Sequence, residues 1–379
     1  MRIGILTQPL YVNYGGLLQC YALQKKLQQL GHETVILQRE FQRSYTIVGG
    51  IKHYVKQVAK LLLRKQPMWH YYVSQEKREY VAKFTTPFIN QHIKELSKKC
   101  YSTEELIDEF KLHNLDAVIV GSDQVWRPDY SPCQPNYFLD FLSSNKNIKK
   151  LSYAASFGTD NWLFTPEDTK YYSSLIKLFD AVSVRELSAV NLCKENFDVE
   201  AIQVLDPTML LDKEDYMYLV PQVKKRGGLF CYMLDRTLEK QKVVNEISKR
   251  TGLSAFENMP LLEPTPDNLY KDIENCVAPP VEDWLSAFME AEMVITDSFH
   301  GCVFSILFNK PFWVIGNKER GMARFDSLLG QFDLKARIIM PSEIELIDLK
   351  QPIGWDEVNA KRESLKIDAL KFIKLSLSN

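Results

Sequence analysis

The sequence lacks several patterns that would assign it to a class of protein at once. Its seven cysteines are scattered singly along 379 residues, with no C-x-x-C pair and no histidine at metal-ligand spacing. This spacing argues against a zinc motif and is typical of reduced thiols. No apolar run approaches the roughly 20 residues that a membrane-spanning helix needs. The first residues enter a predicted strand and do not resemble a signal peptide. We therefore expect a soluble, cytoplasmic protein without a metal site.

The sequence also lacks an excess of charge of either sign. Lys and Arg number 47 and Asp and Glu number 48, so the formal net charge is −1. No global field favours nucleic acid, and we expect no nucleic-acid partner. There are no internal repeats and no low-complexity segments, and the dinucleotide-binding pattern G-x-G-x-x-G is missing after the first predicted strand. With 45% hydrophobic residues, the chain can bury a full core, most simply in two domains.

The sequence does contain alternating strands and helices, which predict an α/β fold. Apolar runs recur between helical segments, and each run ends in polar or glycine residues. The predicted strands begin at residues 2, 33, 116, 150, 180, 201, 229, 293 and 312. Because parallel strands present their carboxyl ends at one edge of a sheet, ligands bind at that edge in open α/β folds. The polar residues that follow the strands are therefore the first candidates for a site.

A basic, glycine-bearing segment at 224–228 predicts a linker between two α/β domains. The predicted N-terminal domain covers 1–223 and contains a helical insertion at about 40–112. The predicted C-terminal domain covers 229–354. Residues 355–379 are predicted to form a long helix that packs back on the N-terminal domain.

The stretch at 293–302 is the most informative part of the chain. A short apolar strand ends abruptly at Asp297 and Ser298, which are both good helix N-caps, and a buried helix follows. His300 lies in the first turn of that helix, where a histidine is often only a cap or a packed residue. Three basic residues after the next predicted strand favour a site for an anion instead: Lys318, Arg320 and Arg324.

Other candidate residues follow predicted strands of the N-terminal domain. The first strand leads to Asn13, Gly15 and Gly16, ahead of a helix predicted at 17–30. The glycine pair allows either close approach to a ligand or only a tight turn. Later strands lead to the polar residues Ser122, Asp123 and Arg185. Asp206, followed by proline, is interpreted as a simple turn.

A basic amphipathic helix is predicted at 52–65, with leucines between its charges. Its cations are Lys52, Lys56, Lys60, Arg64 and Lys65. Two interpretations are open: peripheral contact with an anionic membrane surface, or packing on the domain with a solvated basic face.

Four motifs stand out along the chain. They are Asn-Tyr-Gly-Gly-Leu-Leu-Gln-Cys-Tyr-Ala-Leu-Gln at 13–24, Val-Gly-Ser-Asp-Gln-Val-Trp at 120–126, Ser-Val-Arg-Glu at 183–186 and Thr-Asp-Ser-Phe-His-Gly at 296–301. Together these motifs resemble the polysaccharide pyruvyl transferase family. They occur in the expected order across nearly the whole chain. The resemblance implies two Rossmann-like domains in a GT-B-like glycosyltransferase architecture, with the active site in the cleft between them. It also implies phosphoenolpyruvate as the donor and a sugar diol, often in a surface-polysaccharide precursor, as the acceptor. We expect a sugar or lipid-linked oligosaccharide as the partner, and no cofactor besides the co-substrate phosphoenolpyruvate.

The resemblance also implies roles for particular residues. Arg185 and His300 match the family's arginine and histidine, and Arg320 matches its later basic residue, which Lys318 or Arg324 could replace. The chemistry further calls for a base that takes a proton from the sugar hydroxyl, and Asp297 or Asp123 suits it. The expected catalytic set is His300, Arg185 and Asp297. The substrate-binding set is Asn13, Gly15, Gly16, Ser122, Asp123, Ser298, Lys318, Arg320 and Arg324.

Two other classes of function remain open from the sequence alone. A nucleotide-sugar glycosyltransferase would share the architecture and would also need a basic phosphate site. A non-catalytic glycan-binding protein of the same fold would need no cluster of His300, Arg185 and Arg320.

Overall fold

The structure is a computed structural model that describes residues 1–41, 73–223, 226–316 and 322–378. The predicted basic helix at 52–65 and the side chains of Lys318 and Arg320 lie outside the described residues.

Two parallel sheets organise the described chain, and they confirm the predicted α/β class with two Rossmann-like units. The first has the strand order β2-β1-β3-β4-β5-β6, and the second has the order β11-β10-β9-β7-β8. The strands of the first sheet are β1 (Arg2–Leu6), β2 (Glu33–Ile36), β3 (Ala117–Val120), β4 (Lys149–Ala155), β5 (Ala181–Val184) and β6 (Ile202–Gln203). Those of the second are β7 (Leu229–Tyr232), β8 (Ala255–Phe256), β9 (Met293–Thr296), β10 (Phe312–Ile315) and β11 (Ile338–Ile339). Strands β3, β7, β9 and β10 are buried along their whole length, as expected for a sheet covered on both faces.

The strand order determines which loops lie at the crevice of each sheet. In the first sheet β1 lies between β2 and β3, and in the second β7 lies between β8 and β9. The strand order therefore reverses between β1 and β3 in the first sheet and between β7 and β9 in the second. The connections that leave these neighbouring strands run to opposite faces of the sheet, which opens a crevice at its carboxyl edge. The loops after β1, β3, β7 and β9 therefore border the crevices of the two sheets.

Helices cover both sheets. Their bounds are α1 (Tyr14–Gln29), α2 (Gln75–Val81), α3 (Thr85–His92), α4 (Thr103–Leu112), α5 (Pro166–Ile176), α6 (Leu187–Leu192), α7 (Lys213–Met217), α8 (Leu238–Thr251), α9 (Pro266–Lys271), α10 (Val281–Glu290), α11 (Phe299–Leu307), α12 (Ala323–Gln331) and α13 (Trp355–Leu377). None of the helices in the described ranges is both long enough and apolar enough to span a membrane.

Helix α1 begins earlier than the hydrophobic pattern predicts. The first leucine of the pattern is Leu17, but the helix starts at Tyr14 because the side chain of Asn13 caps it and accepts a hydrogen bond from the Gly16 backbone N–H at 3.2 Å. The glycine pair therefore lies in the first turn of a helix and not in the preceding loop.

The half of the chain that contains β1–β6 (the first half) and the half that contains β7–β11 (the second half) share a hydrophobic core. One continuous cluster contains residues of both sheets and their helices. At its centre Tyr14 of α1 stacks on Trp284 of α10 with ring centroids 5.5 Å apart, and the Tyr14 hydroxyl donates to the Pro279 carbonyl at 3.0 Å. Aromatic pairs of this kind contribute about 0.5–1.5 kcal/mol beyond the area they bury.

The C-terminal helix α13 packs against the first half. Its residues Arg362 and Lys366 donate to Asp212 Oδ1 at 2.9 and 2.7 Å. The Phe372 ring lies 6.4 Å from that of Tyr153 on β4. The end of the chain thus returns to the sheet at which it began.

Candidate active site

A cavity lies where the carboxyl edges of the two sheets face each other. The first half lines it with residues that follow β1 and β3, namely Asn13, Asp123 and Gln124. The second half lines it mainly with residues that follow β7 and β9 and with the start of α12: Leu234, Asp297, Ser298, His300 and Arg324. The site is therefore built at the crevices that the strand order creates.

Asp206 is buried beside this cavity and connects the two halves. Its Oδ2 atom accepts hydrogen bonds from Arg185 Nη1 and from Ser122 Oγ, both at 3.1 Å. The same atom lies 3.7 Å from Nε2 of His300, which belongs to the other half of the chain. Its Oδ1 atom accepts from the backbone N–H and the hydroxyl of Thr208, at 3.0 and 2.7 Å. Both carboxylate oxygens are thus fixed in position.

The surroundings of Asp206 keep its carboxyl group ionised. Burial alone would raise its pKa, but the attraction of His300 and of the Arg185 guanidinium outweighs that effect and lowers the pKa well below the ordinary value. A buried negative charge therefore faces the imidazole of His300 and can hold its N–H in one orientation. Nε2 of His300 is buried and makes no hydrogen bond within the described part of the chain.

Arg185 follows β5 and is almost completely buried, with 3% of its surface exposed. Besides Asp206, it faces Asp123 Oδ1 at 3.6 Å from Nη2 and Glu186 Oε1 at 3.4 Å from Nε. Burial would lower its pKa, but these three carboxylates together raise it. Its guanidinium also lies 4.2 Å from the ring centroid of Phe299 on α11, a cation–π contact between the two halves.

A second arginine approaches Arg185 from α12. Burial lowers the pKa of Arg324, and the positive charge of Arg185 lowers it further, while Glu186 and Asp123 act in the opposite sense. Nε of Arg324 and Nη2 of Arg185 are buried without hydrogen-bond partners among the described residues. Two like charges with unused donors beside a cavity form a site that a bound anion would stabilise.

The helix that carries Arg324 is also hydrogen-bonded to the first half, through Ser327. Ser327 Oγ accepts hydrogen bonds from the Leu187 backbone N–H at 2.9 Å and from Gln203 Nε2 at 2.6 Å. Gln203 also donates to the Arg185 carbonyl at 3.1 Å. The position of Arg324 is thereby coupled to the loop that holds Arg185.

Glycine allows the closest approach between the two halves. A Cβ atom on Gly15 would lie 2.0 Å from Nδ1 of His300, so the first turn of α1 can pack against the imidazole only without a side chain. Across the cavity Ser298 caps α11 and accepts a hydrogen bond from the Gly301 backbone N–H at 3.4 Å. The N-termini of α1 and α11 thus converge on one region, where their partial positive charges favour an anion.

Asp297 lines the cavity but is heavily hydrogen-bonded. Its Oδ1 atom accepts from the Leu234 N–H at 2.6 Å, and its Oδ2 atom accepts from the Asp235 N–H at 3.1 Å and from Lys240 Nζ at 2.6 Å. These bonds tie the turn after β9 to the loop after β7. Lys240 is itself buried and also faces Asp235 Oδ2 at 3.3 Å.

The structure thus brings together most of the residues singled out from the sequence that it describes. Those at or beside the cavity are Asn13, Gly15, Ser122, Asp123, Arg185, Asp297, Ser298, His300 and Arg324. Gly16 contributes through the cap of α1, whereas Lys318 and Arg320 lie outside the described residues. The described residues contain no group of three His, Cys, Asp or Glu side chains placed to hold a metal ion.

Sequence reasoning missed Asp206 and Lys240. The interpretation of Asp206 as a turn residue is half correct, because Oδ1 does cap the turn at Pro207–Leu210 while Oδ2 belongs to the site. Its place after β6, next to β5 and Arg185, was the available signal. Lys240 lies within a helix of the second half and carries no such signal.

The family model described as polysaccharide pyruvyl transferase matches residues 13–319. Among curated proteins, none matches the sequence. Similar solved structures include UDP-GlcNAc 2-epimerase from Methanocaldococcus jannaschii, with 11% identity, a TM-score of 0.48 and coverage of 98% of this chain and 100% of that one. MurG from Acinetobacter baumannii has 14% identity, a TM-score of 0.40 and coverage of 98% and 94% respectively.

Proposed function

This chain belongs to the polysaccharide pyruvyl transferase family and is therefore a transferase enzyme, and we propose that it moves pyruvate from phosphoenolpyruvate to two hydroxyls of a sugar. The product is a pyruvate ketal on a glycan or glycan precursor. The observation that carries the proposal is the junction at Asp206 beside the cavity, whose carboxylate binds Arg185 at 3.1 Å and lies 3.7 Å from Nε2 of His300.

The charges of the site suit this donor. Phosphoenolpyruvate carries a carboxylate and a phosphate group of about −1.5 to −2 charge. Arg185 and Arg324 each present a buried N–H without a hydrogen-bond partner among the described residues, and a guanidinium binds planar oxyanions through two parallel hydrogen bonds. The N-termini of α1 and α11 add backbone donors on the same side.

The proposed reaction is balanced in bonds and protons. C3 of the enol takes up a proton, which makes C2 electrophilic, and the first sugar hydroxyl attacks C2 and loses its proton. The second hydroxyl then bonds to C2 and loses its proton, while the bond from C2 to the phosphate oxygen breaks and the departing phosphate takes one up. Two C–O bonds form and one breaks, and no oxidant or reductant is needed.

His300 is the proposed general acid for the departing phosphate. Its Nε2 atom faces the ionised carboxylate of Asp206, which orients the imidazole, and Gly15 leaves room for the ring beside the N-terminus of α1. A positioned acid of this kind contributes on the order of 10²–10⁴-fold to a rate.

The proposal is tested by phosphate release from phosphoenolpyruvate with a panel of sugar and lipid-linked oligosaccharide acceptors. We expect acceptor-dependent release, together with a new ketal methyl signal in the product by NMR. UDP-sugars serve as the comparison donors. Consumption of a UDP-sugar without any turnover of phosphoenolpyruvate would contradict the proposal.

A lipid-linked acceptor would require the enzyme to reach a membrane surface, and the basic segment at 52–65 is the proposed contact. Its sequence places five cations among leucines. Each lysine near anionic lipid contributes about 1 kcal/mol, and salt weakens the attraction. We expect sedimentation with anionic vesicles at low salt that is lost when Lys52, Lys56 and Lys60 are changed to Glu. Absence of binding at low salt would contradict the contact.

A further inference from the structure

Three aspartates belong to the site, and they differ in how their carboxylates are bonded: Asp123 and Asp297 line the cavity, whereas Asp206 is buried beside His300. Asp206 and Asp297 each use both oxygens, with four and three described hydrogen bonds respectively. The Asp123 carboxylate, in contrast, accepts no hydrogen bond from the described residues and has only the ion pair with Arg185 at 3.6 Å. A group that must take up and release a proton needs a free lone pair facing the substrate.

The backbone holds Asp123 firmly in place. It follows β3 with a φ of 73°, in the left-handed region that aspartate adopts more readily than most other residues. Its carbonyl accepts hydrogen bonds from the Val125 N–H at 2.7 Å and the Ser156 N–H at 3.1 Å. Non-glycine residues held in this region are concentrated at functional sites, because the surrounding structure must impose the conformation. The carboxylate is therefore presented to the cavity from a fixed point.

The other acidic groups nearby are less suited to proton transfer. Protonation of Asp297 would disturb the bonds that join it to Leu234 and Lys240. Glu186 is buried, its Oε1 atom accepts from Ser156 Oγ, and it is not among the residues that line the cavity. Asp123 alone among these groups combines a cavity position with a carboxylate that no described residue hydrogen-bonds.

We propose that Asp123 is the catalytic base that takes the proton from the attacking acceptor hydroxyl. The inference rests on the proposed pyruvyl transfer. The bond from the hydroxyl oxygen to C2 forms as its proton passes to the Asp123 carboxylate, while C3 of the enol takes up a proton. Arg185 lies against both Asp123 and Asp206, so a donor anion bound by Arg185 is held next to the base. Asp297 is then a positioning residue that fixes the turn before α11.

The test compares Asp123→Asn and Asp123→Gly with the wild-type enzyme. Asparagine keeps the size of the side chain and tolerates the left-handed backbone, and glycine adopts that backbone freely while leaving space for a small carboxylate. Asp129→Asn is the matched control, since Asp129 also has a positive φ, of 63°, but is exposed and lies away from the cavity.

We expect Asp123→Asn to lower kcat by about 10²–10⁴-fold while the dissociation constant for phosphoenolpyruvate stays within about threefold. Added formate should restore part of the turnover of Asp123→Gly and leave the wild type unchanged. A structural role would not give rescue by formate. The Asp129→Asn variant should match the wild type in both measurements.

The outcomes distinguish a failure of the role of Asp123 from a failure of the proposed pyruvyl transfer. Wild-type turnover of phosphoenolpyruvate together with near-normal kcat in Asp123→Asn overturns the role of Asp123 alone. Loss of donor binding in parallel with activity, without rescue of Asp123→Gly by formate, also overturns it and makes Asp123 a binding residue. A wild-type enzyme that turns over no phosphoenolpyruvate with any acceptor overturns the proposed function and the inference together.

Discussion

Nε2 of His300 lies 3.7 Å from Oδ2 of Asp206, and the two residues come from opposite halves of the chain. His300 is in the first turn of α11, after the second sheet's β9, whereas Asp206 follows β6 at the edge of the first sheet. The same oxygen of Asp206 also binds Arg185 at 3.1 Å. One carboxylate thus aligns the proposed donor-binding cation and the proposed acid, which separate if the two halves move apart.

The first prediction concerns the charge of Asp206. Asp206→Asn keeps the shape of the side chain but removes the negative charge that Arg185 and His300 share, so both should lose their alignment. We expect kcat to fall at least tenfold and the free energy of unfolding to fall by about 1–3 kcal/mol. Enzyme assays and urea unfolding measure the two effects. Asp333→Asn is the control, since it removes only an exposed ion pair with Lys361. Equal kcat in Asp206→Asn and the wild type would contradict the prediction.

The pH dependence of stability follows from the lowered pKa of Asp206. A carboxyl group whose pKa is lower in the folded than in the unfolded state stabilises the fold above the unfolded value, about 3.9 for aspartate. That stabilisation is lost as the pH falls through the folded value. The difference in unfolding free energy between wild type and Asp206→Asn should therefore be full at pH 6 and shrink progressively below about pH 4. Urea titrations at a series of pH values measure it, and a difference that grows on acidification would have the wrong sign.

Substitutions of Arg185 and His300 should have different kinetic effects. Arg185→Ala removes a charge-assisted bond of roughly 1.5–3 kcal/mol, so the dissociation constant for phosphoenolpyruvate should rise about 10- to 150-fold. His300→Ala should chiefly lower kcat, by about 10²–10⁴-fold. Calorimetric titration of the donor and steady-state kinetics separate the two. Unchanged donor affinity in Arg185→Ala would contradict the role of Arg185 in donor binding. Full turnover in His300→Ala would contradict the role of His300 as the acid.

Gly15 offers a test of the packing between the halves. Gly15→Ala would place a methyl group 2.0 Å from Nδ1 of His300, so the imidazole must shift although alanine favours the helix. We expect a kcat loss of at least tenfold without a matching loss of thermal stability. Gly16→Ala is the comparison, because its Cβ meets only the Asn13 amide at 3.2 Å. A larger kcat loss in Gly16→Ala than in Gly15→Ala would contradict the view that Gly15 is needed to leave room for the imidazole of His300.

The sequence predicted the fold class because each strand of a covered parallel sheet is a short apolar run with polar residues at its end. The hydrophobic pattern places the beginning of α1 too late because Gly15 and Gly16 have low helix propensity, whereas the cap by Asn13 and the packing of Tyr14 on Trp284 stabilise the first turn. Asp206 was passed over because Asp-Pro is ordinary turn chemistry. Its contact with His300 depends on how two sheets face each other, which no local pattern encodes.

Helix α12 links the position of Arg324 to the contact between the two halves. Arg324 and Ser327 are less than one turn apart on it, and Ser327 accepts two hydrogen bonds from the first half. A helix is stiff over that length, so a separation of the halves that breaks the bonds to Leu187 and Gln203 also withdraws Arg324. An open cleft would then hold less positive charge than a closed one, so the phosphate product of the proposed reaction would be bound less tightly when the halves are apart.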